Sequence, residues 1–283
     1  MPNLRLVVLT ALTMIAFAGN SLLCRVALKH TAIDAASFTA IRLISGAIVL
    51  GVVARLFRAS HAGNGSWLSG LSLFTYAACF SFAYVSLPAG TGALLLFGAV
   101  QATMIGHGMW EGDRPRGLQI IGMVLAFAGL VGLLLPGLSA PPLVGSTLML
   151  AAGVAWGIYS LRGRGAGDPT KVTAGNFLFS VPFAVALSIV SIDTKLDGLG
   201  AGVWYAVASG AVASGLGYAI WYSVLPSLKA ASAATIQLSV PVIAAFGGIV
   251  FLGESMTMRL ALASVALLGG IALVILEKRR PAT

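Results

Sequence analysis

The polar side chains best placed to do chemistry are amides in the middle of long apolar runs. They are Asn20, Gln101, Asn176 and Gln237. An unpaired amide that faces hydrocarbon costs free energy, so each is expected to face other helices or a polar cavity. Two roles are open for them: hydrogen bonds between helices, or a neutral lining able to hold an amino or carboxyl group.

Aromatic side chains form a second candidate set. Trp156 lies within an apolar run between Gly153 and Gly157, and Tyr159 follows three residues later. The glycines allow a neighbouring helix to approach closely, and the spacing of the two rings places them on one helix face. We expect Trp156 to line a cavity, with plain packing as the alternative. Further aromatics cluster in other apolar runs: Phe17, Tyr76, Phe80, Tyr84, Tyr218, Trp221 and Tyr222.

Charged side chains are rare inside the apolar runs. Arg42 is the clearest case, and it is a candidate functional group because a charge is costly within a bilayer. We expect its side chain to extend to the outer interface or to pair with a helix end, with attraction of a substrate carboxylate as the alternative. His107 stands alone near the end of a predicted helix, which makes it a poor proton relay.

The acidic residues all fall at predicted helix ends or in loops. A carboxylate embedded in the membrane is the usual means of coupling to protons and of binding lipophilic cations. Its absence argues against a multidrug antiporter of that kind. Cys24 and Cys79 have neither metal-ligand nor disulfide spacing. Because no HExxH, GxSxG or Walker motif is present, we predict no metal, no cofactor and no enzymatic activity.

Composition indicates the solvent that surrounds these residues. Of the 283 residues, 58% are hydrophobic and 9% are charged, whereas soluble domains are roughly 25% charged. We therefore predict an all-α polytopic membrane protein in a lipid bilayer. The net charge of +9 comes from basic residues scattered between apolar runs, so nucleic acid is not an expected partner. Ten transmembrane helices are predicted, near residues 4–27, 35–57, 67–87, 89–109, 118–135, 142–162, 172–192, 201–224, 229–251 and 258–277.

The basic residues also predict an orientation. With the N-terminus in the cytoplasm, most of the Lys and Arg residues between the spans fall on the cytoplasmic side, as the positive-inside rule requires. An even number of spans then places both termini in the cytoplasm. Residues 16–18 loosely match a signal-peptidase site, but the apolar run continues beyond them, so we expect this helix to be retained.

The two halves of the sequence match each other in order. The matched pairs are Ala16/Ala155, Phe17/Trp156, Ser21/Ser160, Leu22/Leu161, Arg25/Arg164, Asp34/Asp168, Thr39/Thr173, Tyr84/Tyr222, Pro88/Pro226 and Gly112-Asp113/Gly253-Glu254. We predict two five-helix repeats, residues 1–137 and 138–283, in one membrane unit. Because each repeat has an odd number of helices, the second is inverted relative to the first. Such inverted repeats are typical of secondary transporters, whose substrate site lies where the repeats meet.

Several segments resemble one transporter family. "RLISGAIVL" at 42–50, Leu-Pro at 87–88 and 225–226, and "SVPVIAAFGGIVFLGE" at 239–254 are similar to the EamA branch of the drug/metabolite transporter superfamily, as is the closing helix with Gly269-Gly270. In the first half, Ala102 stands where the family has proline, and Gly112-Asp113 replaces Gly-Glu. Within the family, the chain resembles amino-acid exporters of the YddG type.

The resemblance implies a secondary transporter in a bacterial inner membrane that exports small metabolites, with amino acids as the expected cargo. Carriers of nucleotide sugars or drugs are the alternative, and an intramembrane enzyme is less favoured. A monomer is compatible with the sequence, which does not specify the oligomeric state. In the resembled exporters, an aromatic at the place of Trp156 faces the central cavity. The predicted cavity residues are Phe17, Asn20, Tyr76, Gln101, Trp156, Tyr159 and Gln237, with Arg42 as a possible charge partner.

Overall fold

The apolar runs form helices in the part of the chain that the structure describes. The computed structural model describes residues 4–56, 64–112, 114–115, 117–137, 140–164, 166–191, 200–228 and 230–277. Within these ranges there is no β-strand, and the predicted all-α class is confirmed.

The helices are numbered here in chain order. Helices α1 to α7 are Leu4–His30, Ala35–Leu56, Trp67–Tyr84, Ala89–Trp110, Leu118–Leu134, Leu143–Arg162 and Pro169–Val190. Helix α8 is the continuous segment Gly200–Ser227. Helix α9 consists of Ala230–Gln237 and Ser239–Leu252, and helix α10 is Met258–Glu277.

Eight of these helices are long and apolar enough to cross a membrane, judged by length and composition over the described residues. The other two are α3, with 18 residues, and α5, an apolar helix of 17 residues. The predicted multi-pass membrane protein is therefore confirmed, although eight rather than ten of the predicted spans meet this criterion.

Polar caps determine where two of the helices begin. The Ser66 hydroxyl accepts a hydrogen bond from the backbone N–H of Ser69 at the start of α3. The Asp168 carboxylate does the same for the N–H of Lys171 at the start of α7. Pro169 occupies the first helical position, where a backbone N–H would have no acceptor within the helix, so proline loses no hydrogen bond there. Helix α7 therefore begins at Pro169, three residues before its predicted start.

Helix α8 departs from regular α-helical geometry. Ala208–Leu216 is π-helical and lies between the α-helical parts Gly200–Val207 and Gly217–Val224. A final turn, Leu225–Ser227, is a 3-10 helix. Since π-helical turns are frequent at functional sites, this segment is a candidate part of the functional site.

Helix α9 is interrupted at Leu238, where one continuous span was predicted. Pro241 has no backbone N–H to donate to the carbonyl oxygen of Gln237, four residues earlier. The α-helical hydrogen-bond ladder consequently fails at this point, and the helix resumes at Ser239.

Glycines allow α5 and α10 to pack closely along each other. A Cβ atom added at Gly122 would lie 2.5 Å from the carbonyl oxygen of Gly270, and one at Gly129 would lie 2.8 Å from the backbone nitrogen of Leu267. Backbone atoms of a neighbouring helix do not move aside as side chains do. Close approach between these helices therefore depends on glycine at these positions.

The helices of the first half of the chain, α1 to α5, contact those of the second half, α6 to α10, in a symmetric way. Helix α2 packs on α7, α4 packs on α9, and α5 packs on α10. Other interfaces occur in pairs that are related by exchanging the halves: α3–α6 with α8–α1, α4–α6 with α9–α1, and α3–α7 with α8–α2. Each half thus packs extensively against the other.

Candidate functional site

Trp156 lies at the centre of a group of aromatic rings contributed by both halves of the chain. Its ring stacks on Tyr159 of α6 at a centroid distance of 5.2 Å and on Tyr218 of α8 at 5.5 Å. Tyr76 of α3 lies 4.7 Å from Trp156, and Phe17 of α1 lies 5.4 Å from Tyr218. We call these five residues the aromatic cluster. Four of them are predicted cavity residues.

Tyr218 was not among the predicted cavity residues. It is buried, lies 6.2 Å from the ring of Phe177 and stacks on Tyr222 at 6.1 Å. Tyr218 and Tyr222 are four residues apart, so they share one helix face. That four-residue spacing was the sequence signal for a second aromatic helix face. It lies on α8 and contacts the aromatic face of α6.

Two glycines of α6 determine where Trp156 points. A Cβ atom at Gly153 would lie 2.5 Å from the Cβ atom of Ala99, and one at Gly157 would lie 2.7 Å from the Cβ atom of Thr103. This face of α6 therefore packs directly on α4, as the glycine spacing predicted. Trp156 lies on a different face of α6, and this turns its ring towards α3 and α8.

Amide and hydroxyl groups border the aromatic cluster. Asn176 of α7 donates from Nδ2 to the hydroxyl of Tyr159 at 3.5 Å, and its Oδ1 accepts from the backbone N–H of Ser66 at 2.9 Å. Thr173 donates to the hydroxyl of Tyr222 at 3.1 Å. Asn176 thus makes hydrogen bonds between helices, one of the two roles predicted for the amides.

Asn20 connects α1 to the π-helical part of α8. Its Nδ2 donates to the hydroxyl of Ser214 at 3.4 Å, and the hydroxyl of Ser209 donates to its Oδ1. All three side chains are buried. Because Asn20 follows Phe17 by one helical turn, these bonds hold α1 against α8 beside the aromatic cluster.

Arg42 is buried, with 2% of its surface exposed, so the expected extension to the outer interface is wrong. Its Nη2 donates to the hydroxyl of Tyr76 at 2.9 Å. The guanidinium carbon lies 5.2 Å from the ring centre of Tyr76 and 4.8 Å from that of Phe80. Among the described residues, Nε and Nη1 have no hydrogen-bond partner. The cation therefore lies against the aromatic cluster and not at a helix end.

No described hydrogen bond joins Gln101 or Gln237 to a residue of the aromatic cluster. Gln101 is buried and lines a cavity of about 400 Å³ between α4, α5 and α10, whose walls are otherwise almost entirely apolar. Gln237 is the last residue of the first part of α9, directly before the interruption at Leu238. A substrate-binding role for these two amides stays a prediction.

A buried ion pair joins the two halves at one end of the helices. Arg25 donates from Nε to Oε1 of Glu254 at 3.2 Å, and from Nη1 to the carbonyl oxygens of Tyr84 at 2.9 Å and Val85 at 3.0 Å. Oε2 of Glu254 accepts from the backbone N–H of Ala89 at 2.8 Å. This network joins the end of α1, the turn between α3 and α4, and the segment after α9.

Glycines position the carboxylate of this ion pair. Gly253 ends α9 in the left-handed conformation, with φ of 63°, and the N–H of Glu254 then donates to the carbonyl oxygen of Gly248 at 3.0 Å. A Cβ atom at Gly248 would lie 2.5 Å from Oε2 of Glu254. Arg25 had no predicted role in a site; its match with Arg164 and the Gly253-Glu254 motif were the available signals.

The described acids lie at helix ends or in loops, as predicted. Asp34 accepts from backbone N–H groups at the start of α2, and Glu111 follows α4. His107 lies 3.4 Å from Glu111, and both side chains are exposed. Three further acids, Asp113, Asp193 and Asp197, lie outside the described residues.

Several known proteins are similar to this chain. Residues 143–276 match the model of the EamA-like transporter family. The uncharacterized protein PA1977 of Pseudomonas aeruginosa is 56% identical over 276 residues, which cover 97% of this chain and 96% of that protein. The threonine/homoserine exporter RhtA of Salmonella typhimurium is 28% identical over 235 residues, 80% of this chain and 76% of the exporter. RhtA of Escherichia coli K12 is 28% identical over 237 residues, with the same coverage.

The fold also recurs in a crystal structure of another protein. That structure has a TM-score of 0.66 and 21% sequence identity, and the match covers 95% of this chain and 99% of the other. The family and the relatives point to a transporter and not to an enzyme. The chain therefore belongs to the EamA-like transporter family, within the drug/metabolite transporter superfamily, and it is a multi-pass membrane transporter.

Proposed function

We propose that this transporter exports small metabolites, with amino acids as its cargo, by alternating access through a site centred on Trp156. The aromatic cluster carries the proposal. Phe17 and Tyr76 come from the first half of the chain, and Trp156, Tyr159 and Tyr218 come from the second. A movement of one half against the other therefore separates or closes these rings, so a substrate held between them becomes accessible or enclosed.

Two inverted five-helix repeats would provide the two states that alternating access needs. Interfaces related by exchange of the halves, such as α3–α6 with α8–α1, support this arrangement. The ordered sequence matches support it independently. Five helices per repeat give the repeats opposite orientations. We place both termini in the cytoplasm on the distribution of basic residues.

Two observations favour amino acids as the cargo. The RhtA proteins, which are similar over most of this chain, are named threonine/homoserine exporters. The site itself combines neutral aromatic and hydroxyl groups with one cation, Arg42, and such a set suits a small zwitterion. Nucleotide sugars are strongly anionic and would need several basic side chains, whereas Arg42 is the one cation that the described residues place against the cluster.

Drugs that are lipophilic cations are the second alternative. They would require a carboxylate within the membrane, and the described acids lie at helix ends or in loops. Transport of such drugs is therefore less favoured than amino-acid export.

A substrate panel in proteoliposomes tests the proposal. Vesicles containing the purified protein are loaded with radiolabelled threonine, homoserine or another common amino acid, and efflux is measured with and without a pH gradient. We expect saturable efflux of at least one amino acid above that from protein-free vesicles. If the entire amino-acid panel stays inside the vesicles, the proposed cargo is wrong. Flux of nucleotide sugars or drugs alone would support the alternative carriers.

A further inference from the structure

Arg42 is a buried cation without a counter-ion in the part of the chain that the structure describes. Its surface is 2% exposed. Its guanidinium group contacts a tyrosine hydroxyl and two aromatic rings, and Cys24 and Tyr218 are also near enough to interact with it electrostatically. Ring faces attract a cation, but they do not accept the hydrogen bonds that a guanidinium offers in several directions. The unpaired Nε and Nη1 groups therefore leave part of its desolvation cost uncompensated.

The acids whose side chains the structure describes do not supply the missing anion. Glu254, the carboxylate of the described buried ion pair, is already bonded to Arg25 and to the N–H of Ala89. Asp34 and Asp168 accept hydrogen bonds from backbone N–H groups at the starts of α2 and α7. Glu111 is exposed beside His107. Among the described residues, no free carboxylate therefore pairs with Arg42, which leaves its guanidinium group available to the carboxylate of a bound molecule.

The position of Arg42 shows where such a molecule would lie. Tyr76 contacts the guanidinium with its hydroxyl and contacts Trp156 with its ring, 4.7 Å away. A carboxylate bound to Arg42 would therefore place the rest of a small molecule against the aromatic cluster. Tyr76 and Phe80 cover the guanidinium in this conformation, so binding requires the rings of α3 to move aside.

We infer that Arg42 binds the carboxylate group of the transported substrate, which makes small carboxylic acids, and amino acids among them, the substrate class. This inference rests on the proposed function. Arginine suits the role because it stays charged when buried and offers several fixed donors to a carboxylate. The faces of the neighbouring rings would receive the ammonium group of an amino acid.

Matched ligands test the inference on the unaltered protein. Each amino acid of the panel is compared with its own carboxamide, which keeps the side chain and the ammonium group but has no negative charge. Lactate and lactamide extend the comparison to a carboxylate without an amine. We expect the carboxylates to raise the thermal unfolding temperature and to compete for transport. The amides should need roughly tenfold to 100-fold higher concentrations, as the loss of a charged hydrogen bond implies. Equal effects of acid and amide would overturn the inference.

Substitutions in α2 separate a binding role from a structural one. Arg42→Gln removes the charge, Arg42→Lys keeps it without the planar fork, and Arg55→Gln is the matched control at the exposed end of the same helix. We expect Arg42→Gln to weaken the response to carboxylates and to leave the response to amides unchanged, with Arg42→Lys intermediate. If both responses fall in proportion, Arg42 supports the fold alone. Where Arg42→Gln does not fold, the comparison of acid and amide on the unaltered protein decides.

The two proposals fail in different ways. Transport of amino acids and of their amides with equal efficiency would leave amino-acid export standing and would remove Arg42 from recognition. Binding of lactate but not lactamide, without flux of any amino acid, would support the role of Arg42 and contradict the proposed cargo.

Discussion

A substitution that removes the ion pair between Arg25 and Glu254 should lower the free energy of unfolding. The decrease should be several times that caused by removing an exposed ion pair. The Arg25 and Glu254 side chains are 11% and 10% exposed, and their charged atoms are 3.2 Å apart. At that distance, the attraction is about 5 kcal/mol for an effective dielectric constant of 20. Removing one partner leaves the other charge buried, which typically costs about 3–5 kcal/mol.

The structure lowers the loss of stability that is expected for Glu254→Gln. Arg25 keeps its bonds to two backbone carbonyl oxygens, and the glutamine keeps one acceptor oxygen. We therefore expect a loss of about 3 kcal/mol for Glu254→Gln, at the lower end of the range for a broken buried pair. In a double-mutant cycle with Arg25→Met, a coupling energy of about 2 kcal/mol should remain, within the range for residues in one network.

The cycle is measured by chemical unfolding of the purified protein in detergent micelles, followed by tryptophan fluorescence. His107 and Glu111 provide the control cycle, since their side chains lie 3.4 Å apart, form an ion pair when His107 is protonated, and are 44% and 62% exposed. Their coupling should be below about 0.5 kcal/mol. If the effects of Arg25→Met and Glu254→Gln add to within about 0.5 kcal/mol, the two charges do not stabilise each other.

Two further predictions concern single substitutions, one measured by stability and one by transport. Gly270→Ala should destabilise the protein by about 1–3 kcal/mol, because its Cβ would lie 2.6 Å from the backbone nitrogen of Ala126. Gly269→Ala meets nothing within 4 Å, so unfolding curves should show no loss, and equal losses would refute the packing explanation. Trp156→Ala should weaken substrate transport about tenfold, as loss of an aromatic contact implies, with the protein still folded. Trp204→Ala, at a residue 73% exposed, is the control, and unchanged kinetics for Trp156→Ala would remove that residue from the site.

The helices were largely predictable because an apolar run of sufficient length has few alternatives in lipid. The packing of one face of α6 on a neighbouring helix was predictable for a local reason, since Gly153 and Gly157 leave that face without side chains. The interruption of α9 also had a local signal in Pro241, which removes one hydrogen bond of the helix. Local signals of this kind act within a few residues, where the chain itself fixes the distances.

The partners of charged residues were not predictable, because they come from distant parts of the chain. Arg25 pairs with Glu254, and no pattern around either residue identifies the other. Arg42 was expected at the outer interface, but Tyr76 and Phe80 of α3 hold it inside. The π-helical segment of α8 has no composition that distinguishes it from an ordinary helix rich in small residues.

Residues that match between the two halves have different environments in this structure. Arg25 is buried and paired, whereas Arg164 is exposed. Ala27 and Ala166 continue the alignment that pairs these arginines, and Ala27 is fully buried while Ala166 is exposed. If the halves exchange conformations during alternating access, the buried and exposed members of each pair should exchange as well.

Cysteine labelling tests this exchange directly. Ala27→Cys and Ala166→Cys are made separately in a background in which Cys24 and Cys79 are replaced by alanine, and an impermeant thiol reagent is applied to both sides of the membrane. We expect Ala166→Cys to react and Ala27→Cys to be protected. Adding Glu254→Gln should raise the reactivity at 27 and lower it at 166, because it removes the ion pair that joins the two halves near residue 27 and so favours the other state. A rise at both positions would indicate unfolding and not exchange, and no change at either would show that the Arg25–Glu254 pair does not bias the two states.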